Sequence, residues 1–383
     1  MAKENGILWA LSPMLTINAI SGIPAFSFKQ HGRKSSRWRL YNIGIYFTLS
    51  FLFCFSLYLT MRIVYGINYF PKNIDIVAHV RVTWALYSIF TVTISGYLHI
   101  FRRRQVEEVF QGLTRLVMGG SEERIRAWVY FQTVAFLSFV VNFLLLSSTE
   151  IEIRRMTRMH HFISPAIIFW GTIHMEQEWQ FYNVLLLLRL STKELNLKMS
   201  AIHNLKERFE YGSSKNKDAG VLRQLSRLKE LQLKSYYIFK RAMRVYGLAN
   251  MILSGETLIS SSFLLFSMID SRVLASKVTI PLRIICSMYW IVCEFSVMIF
   301  VVTASECLRK EVDKTEKLVI DAMLKVEDYA VRRELRLFAL QLLHTPFRSS
   351  ACGFFPLNLT LFTSITATVV TYLVILVQFK SSE

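Results

Sequence analysis

Long apolar stretches alternate with shorter polar ones along most of the chain. The hydrocarbon core of a bilayer is about 30 Å thick, so a helix rising about 1.5 Å per residue needs roughly 20 apolar residues to cross it. Seven segments meet this requirement, at about 40–65, 74–101, 127–148, 162–188, 245–269, 278–305 and 357–379. Because only helices and closed barrels satisfy the backbone inside lipid, the pattern predicts an all-α membrane protein with seven transmembrane helices.

The stretch at 6–28 is also apolar, but it makes a poor transmembrane helix. Pro13, Asn18 and Pro24 interrupt it, and neither a charged leader nor a small-residue cleavage site frames it as a signal peptide. We expect an amphipathic or re-entrant stretch on the inner membrane surface, within an N-terminal segment at 1–39.

The flanks of the first span predict the orientation of the chain. Four basic residues precede that span, and between it and the second span only Lys72 is basic. The four are Arg33, Lys34, Arg37 and Arg39. Basic residues stay on the cytoplasmic side, so we expect a cytoplasmic N-terminus, an extracellular C-terminus and an outer tail at 380–383.

The connectors on the inner side are long enough to carry helices of their own. The connectors at 189–244 and 306–356 predict helices at Leu190 to Lys240, broken near 212–214, and at Leu308 to Leu343. Apolar residues recur at helical spacing in the second of these, namely Val312, Val319, Met323, Val326 and Ala330. Such a helix either lies in solvent below the membrane or packs against a neighbouring subunit, and the spacing leaves both open.

Composition and charge narrow the class of protein. The chain is 53% hydrophobic and 14% aromatic, with a net charge of +18. Its Lys and Arg residues lie between apolar runs rather than along one folded face, which favours membrane flanks over a nucleic-acid surface. The sequence contains no P-loop, no His-Glu-x-x-His, no Gly-x-Ser-x-Gly and no Cys-x-x-Cys pattern. We therefore expect neither an enzyme nor a bound metal or cofactor.

The last span carries its polar residues on one face. Ser364, Thr368, Thr371 and Gln378 fall at offsets that place them on one stripe of a helix turning about 100° per residue. A stripe of hydroxyls and one amide is typical of a helix that lines a water-filled pore. Hydrogen bonds between packed membrane helices give the same stripe more often than a pore does, and the pattern leaves both open.

The end of the chain resembles a known signature. Residues 371–379 read Thr-Tyr, five hydrophobic residues and Gln-Phe, and this resembles the motif that closes insect gustatory receptors. Residues 353–357, with their Gly-Phe-Phe and Leu, are similar to the same family just before the last span, and 11–13 and 22–24 are similar to its N-terminal segment.

This resemblance implies a ligand-gated, non-selective cation channel of four identical or related subunits, with the seventh helices lining the pore and the inner helices forming a cytoplasmic anchor. It implies an outer constriction at Gln378 and Phe379, with Thr371 and Ile375 further in. Tyr372 would pack the helix against its own bundle. The ligand would be a small-molecule tastant, the permeant ions cations, and the location the plasma membrane, in dendrites of chemosensory neurons.

Ligand binding would involve the outer halves of spans two to six, where ionisable and aromatic side chains are costly enough in lipid to suggest function. The candidates are Arg81, Trp84, Trp170, His174, Glu176, Glu256, Tyr289 and Trp290. Ordinary packing accounts for an aromatic residue or a histidine at such a position more often than ligand contact does, and Glu256 could instead pair with Arg81 inside the bundle.

Two other classes of membrane protein share the span count or the hydropathy. A receptor that signals through G proteins has the opposite orientation, and this chain has minimal outer loops and no cysteine pair placed to tie one to span three. A secondary transporter predicts a two-fold hydropathy repeat with matched helix breaks, and the sequence has neither. The chemical class of the tastant, whether sugar, bitter compound or other, stays open.

Overall fold

The computed structural model describes residues 101–117, 163–207, 215–269 and 280–381, with single helical positions within 87–98 and 127–141. The predicted N-terminal stretch and span one lie outside the described residues. The described elements are helices α1 (Arg103–Val117), α2 (Ile163–Glu207), α3 (Lys215–Ile269), α4 (Ile280–Lys325), α5 (Tyr329–His344) and α6 (Leu359–Ser381), and short strands β1 (Ser350–Ala351) and β2 (Phe355–Pro356).

Three helices run far beyond the predicted spans. Helices α2, α3 and α4 have 45, 55 and 46 residues. At about 1.5 Å per residue they are roughly 65 to 80 Å long, more than twice the hydrocarbon thickness of a bilayer. Predicted spans four to seven fall on parts of α2, α3, α4 and α6, and α2, α3 and α4 continue beyond those parts. The all-α fold predicted from the apolar pattern is confirmed.

The buried side chains form two main clusters along these long helices. One joins α1, the middle of α2, α3 and α4, the two strands and α6, around fully buried residues such as Phe110, Phe181 and Tyr246. The second joins the far ends of α2, α3 and α4 with α5, around Val319 and Phe338. We call the second cluster, with the helix ends that surround it, the anchor.

The prediction of one helix from Leu308 to Leu343 is wrong. Helix α4 ends at Lys325 and α5 begins at Tyr329. The side chain of Asp328 accepts a hydrogen bond from the amide of Ala330 at 2.7 Å and caps α5, while Arg332 Nε donates to the carbonyl of Val326 at 2.8 Å. These two side chains hydrogen-bond to backbone groups at the ends of the two helices, and the chain turns back on itself between them.

This turn explains the apolar spacing seen in the sequence. Val312, Val319 and Val326 are all buried within the chain, and α5 packs against both α3 and α4. The ion pair between Lys229 and Glu334 links α3 to α5 on the outside of the same contact. These three valines of the apolar stripe therefore pack inside their own subunit, whereas Met323 is half-buried and Ala330 is exposed.

A polar contact aligns α2 with α4 where the anchor meets the first cluster. Asn196 is 2% exposed and its Nδ2 donates to the carbonyl oxygen of Glu311 at 2.9 Å. Thr315 Oγ1 donates to Asn196 Oδ1 at 2.6 Å. Because buried amides are costly without partners, this arrangement specifies one register between the two helices.

Candidate functional site

A tight hairpin leads into the last helix. Cys352 has φ 51° and Gly353 has φ 82°, the paired left-handed conformations that tight hairpin turns use. The amide of Phe354 donates to the carbonyl of Ala351 at 2.9 Å, and Ala351 pairs with Phe355 across the two strands. The hairpin therefore sets the direction in which α6 leaves the bundle.

The hairpin is seated on a glycine of α3. A Cβ atom at Gly247 would lie 3.2 Å from the backbone nitrogen of Cys352 and 3.5 Å from the carbonyl oxygen of Ser350. Ala351, between them, is fully buried. Only the absence of a side chain at Gly247 lets the two backbones approach this closely.

We expect Gly247→Val to lower the stability of the full chain by about 1 to 3 kcal/mol, because its methyl groups would overlap the hairpin backbone. Gly220→Val is the matched control, since it lies on the same helix with nothing within 4 Å of its Cβ position. The melting temperatures of the two purified variants in detergent measure the difference. Equal melting temperatures would contradict the close seating of the hairpin.

Helix α6 is buried along one face only. Leu361, Ile365 and Val369, spaced one helical turn apart, are 9%, 5% and 3% exposed. Phe362 meets Phe295 of α4 edge to face at 5.5 Å. Only 17% of the most apolar part of α6 is buried inside the chain, against 50% in α3 and 44% in α4. Most of α6 is therefore left to lipid, water or another subunit.

The predicted polar stripe lies outside that buried face. Ser364 and Thr371 are exposed and Thr368 is half-buried. Their hydroxyls donate to carbonyls of their own helix, at 2.9, 2.9 and 2.8 Å for Ser364, Thr371 and Thr368. Among the described residues, these three hydroxyls therefore donate within α6 and not to another helix.

The other predicted pore residues lie on exposed surface nearer the end of α6. Ile375 is 39% exposed, Phe379 is 57% exposed, and Gln378 is exposed as well. Tyr372, expected to pack against its own bundle, is 51% exposed in the single subunit. The roles of these residues stay predictions.

A polar network lies inside the bundle around Glu256. This residue is 6% exposed, and its Oε2 accepts a hydrogen bond from Thr91 Oγ1 at 2.8 Å. One turn further along α3, Ser260 Oγ donates to Oε1 of Glu294 on α4 at 2.7 Å. Spans two and six are thus both tied to α3 through carboxylates.

Helix α2 adds further buried polar groups. Gln177, Gln180 and Asn183 are at most 2% exposed, and Ser95 donates to Gln177. Tyr246 of α3 donates to Gln180 Oε1 at 3.3 Å. Neighbouring helices thus bring buried amides and carboxylates together in the interior of the bundle.

Tyr289 and Trp290 are the two candidate aromatics of α4. They are partly buried and pack against the cluster of Met175, Cys293 and Val297, at the contact between α2 and α4. Three candidates, Trp170, His174 and Glu176, lie on α2 beside Met175, and their side chains are outside the described part of the chain. Arg81 and Trp84 lie outside the described residues altogether, so the eight ligand contacts stay predictions.

Sequence reasoning did not select Glu294 or its partner Ser260 as site residues. The sequence offered two signals for this pair. Span six has a single carboxylate, and span five has small hydroxyl side chains at 254, 257 and 260–262. Which face of each helix meets the other cannot be read from either span alone. Among the described residues, no three His, Cys, Asp or Glu side chains come close enough together to hold a metal ion.

Comparison with known proteins identifies the family. The model of the 7tm chemosensory receptor family matches residues 11–383. Gustatory receptor 68a of Drosophila melanogaster is 30% identical over 209 residues, and the alignment covers 53% of this chain and 52% of that receptor. Gustatory receptor for sugar taste 43a, also of Drosophila melanogaster, is 33% identical over 96 residues, with 25% and 22% covered. The chain thus aligns with about half, or less, of the length of these relatives.

A solved structure carries the same fold. The olfactory receptor OR5 of the insect Machilis hrabei, in complex with eugenol, superposes with a TM-score of 0.73 at 13% identity, covering 98% of this chain and 99% of that one. The resemblance first seen at residues 371–379 is thereby confirmed over nearly the whole length. With its long helices, one-sided last helix and family match from residue 11 to the end, the chain belongs to the 7tm chemosensory receptor family, a family of membrane receptors rather than enzymes.

Proposed function

We propose that the chain is one subunit of a gustatory receptor that acts as a non-selective cation channel opened by a small-molecule tastant. The observation that carries the proposal is the one-sided burial of α6, whose polar stripe faces away from its own bundle. A membrane helix that exposes a polar face needs a wet or polar neighbour, because lipid cannot hydrogen-bond to it.

The hydroxyls of the stripe suit a pore for a physical reason. Each hydroxyl donates to the carbonyl one turn earlier, so its hydrogen is already bonded and its oxygen still has a lone pair to offer a passing hydrated cation. Four copies of α6 around one axis would enclose such a stripe. Gln378 and Phe379 would then form the outer constriction, with Ile375 and Thr371 further in, and conduction would depend on their polarity and wetting.

Ligand binding would occur in the bundle formed by spans two to six. Glu256 supplies a polar anchor, and Tyr289 and Trp290 supply aromatic surface at the contact between α2 and α4. A ligand opens such a channel only if it binds the open state more tightly than the closed one. Because α6 packs on α3 and α4, a change in their spacing reaches the pore helix directly.

The proposal is tested in excised membrane patches from cells that express the chain alone or with a related subunit. The tastant panel includes sugars and phenols such as eugenol, and the bath contains no guanine nucleotide. We expect a tastant to evoke cation current in these patches. We also expect the receptor to lie in the plasma membrane of sensory dendrites. A response that appears only when GTP is supplied would support the G-protein-coupled alternative instead, and silence across the panel with every subunit pairing would overturn the channel.

A further inference from the structure

Two groups of cations far apart in sequence meet where α1 packs against α3. Arg102 Nη1 donates to the carbonyl oxygens of Arg244 at 2.6 Å and Val245 at 3.0 Å, and 142 residues separate Arg102 from Arg244. The contact brings together five cations that we call the basic seam, namely Arg102, Arg104, Lys240, Arg241 and Arg244. Arg102 is held by backbone carbonyls, so its guanidinium serves as a fixed link between the two helices.

The seam carries more positive charge than its neighbours neutralise. Arg241 Nη1 lies 2.9 Å from Glu108 Oε2, and Arg104 Nε lies 3.5 Å from Glu108 Oε1, so one carboxylate is shared by two guanidinium groups. Glu107, beside it, accepts a hydrogen bond from Gln111. Arg104 and Arg241 still expose 92% and 49% of their side chains, and Lys240 and the side chain of Arg244 are exposed. Donors are thus left over for a polyanion.

The seam lies at the edge of the membrane. Arg102 directly follows predicted span two and Arg244 directly precedes predicted span five, so the predicted spans place both at the same membrane boundary. Phe101, which stacks with Tyr97 at 6.4 Å, is 83% exposed. Exposed aromatic side chains beside cations are typical of a position where acyl chains give way to headgroups.

We propose that the basic seam binds the phosphorylated headgroup of an inositol phospholipid in the cytoplasmic leaflet. Guanidinium groups bind phosphate through paired hydrogen bonds, and several of them on two helices match a headgroup with several phosphates better than one with a single charge. Basic pockets between helices at the inner membrane face bind such lipids. Phe101 favours the lipid over a free inositol phosphate, because it gives the acyl chains an apolar surface next to the cations. The proposal needs the cytoplasmic orientation of the seam and does not depend on tastant gating.

The test uses the purified full chain in phosphatidylcholine nanodiscs and a fluorescent dioctanoyl phosphatidylinositol bisphosphate as the probe. Loss of one cation near a membrane surface weakens binding about fivefold, so the double variant Arg241→Gln, Arg244→Gln should weaken it about 25-fold. The control pair Arg223→Gln, Arg227→Gln removes the same charge from exposed positions of α3 that begin about 20 Å further from the membrane. An equal loss in both pairs, or no loss in the seam pair, overturns the proposal.

Glu108→Gln gives a prediction of opposite sign. It releases Arg104 and Arg241 from their shared carboxylate, so we expect the probe to bind about fivefold more tightly. A structural role alone would weaken binding instead, and that result overturns the proposal. Competition against the bound probe distinguishes the lipid from other anions. Soluble inositol trisphosphate should displace the probe less well than the lipid does, and phosphatidylserine should displace it poorly. Equal competition by the soluble headgroup would exclude the lipid as the occupant, and equal competition by phosphatidylserine would overturn the choice of a polyphosphate. A native elution volume on gel filtration confirms that each variant is folded.

Discussion

Channels carrying Thr371→Cys are expected to lose nearly all tastant-evoked current after a positively charged, water-borne thiol reagent is applied. Thr371 is exposed on the stripe of α6, and its hydroxyl bonds only to the carbonyl of Ala367 among the contacts described. Cysteine is close in size to threonine, so the unmodified channel should still open. Once modified, four bulky cations would stand around one axis, where both size and charge oppose the passage of cations.

Val369→Cys is the matched control for this experiment. It lies two residues earlier on the same helix, and its side chain is 3% exposed against the bundle. The reagent should leave its current unchanged, as it should the unmodified receptor, whose five native cysteines set the background. A Thr371→Cys channel that conducts and yet never reacts in the open state would mean that α6 does not line the pore.

Much of the fold follows from hydropathy, because the constraint that lipid imposes is local. A run of roughly 20 apolar residues must be a helix in lipid whatever its neighbours are. The start of α2 at Ile163 and both ends of α6 therefore lie within two residues of the helix ends that hydropathy predicts. The lengths of α2, α3 and α4 beyond the apolar runs depend on contacts with one another, which hydropathy does not describe.

The turn after Lys325 could not be placed from hydropathy, because it lies outside the apolar runs. The break between α4 and α5 depends on the carboxylate of Asp328 and the guanidinium of Arg332 reaching particular backbone groups. Alternating charges and evenly spaced valines look the same in a straight helix and in two helices that fold back. The side chains that satisfy such a turn act through geometry rather than composition.

The candidate site was less predictable than the fold, because it depends on which helix faces meet. Glu256 could be selected from one span, since a carboxylate in an apolar run is costly. Its contact with Thr91, and the bond between Ser260 and Glu294, join residues 165 and 34 positions apart. No spacing within one span encodes such pairs. The polar stripe of α6 was visible because all of its members lie on a single helix.

Replacement of Phe338 by alanine is expected to be the most destabilising single change in the anchor. Phe338 is fully buried where α5 packs against the far ends of α3 and α4, in the cluster that includes Val319 and Leu335. Removing a buried phenyl ring costs about 3 to 5 kcal/mol, since the apolar contacts are lost and the cavity closes only in part. That is a large share of the roughly 5 to 15 kcal/mol that stabilises a typical folded domain.

Leu337→Ala is the control, because Leu337 precedes Phe338 on the same helix and is 45% exposed. We expect it to change stability by no more than about 0.5 kcal/mol, whereas Phe338→Leu should fall between the two. Melting temperatures of the purified receptors, read from their gel-filtration profiles after heating, rank the three variants. If Phe338→Ala had the same melting temperature as Leu337→Ala, α5 would not be packed as described. The anchor would then depend on polar links such as Lys229 with Glu334 rather than on its apolar core.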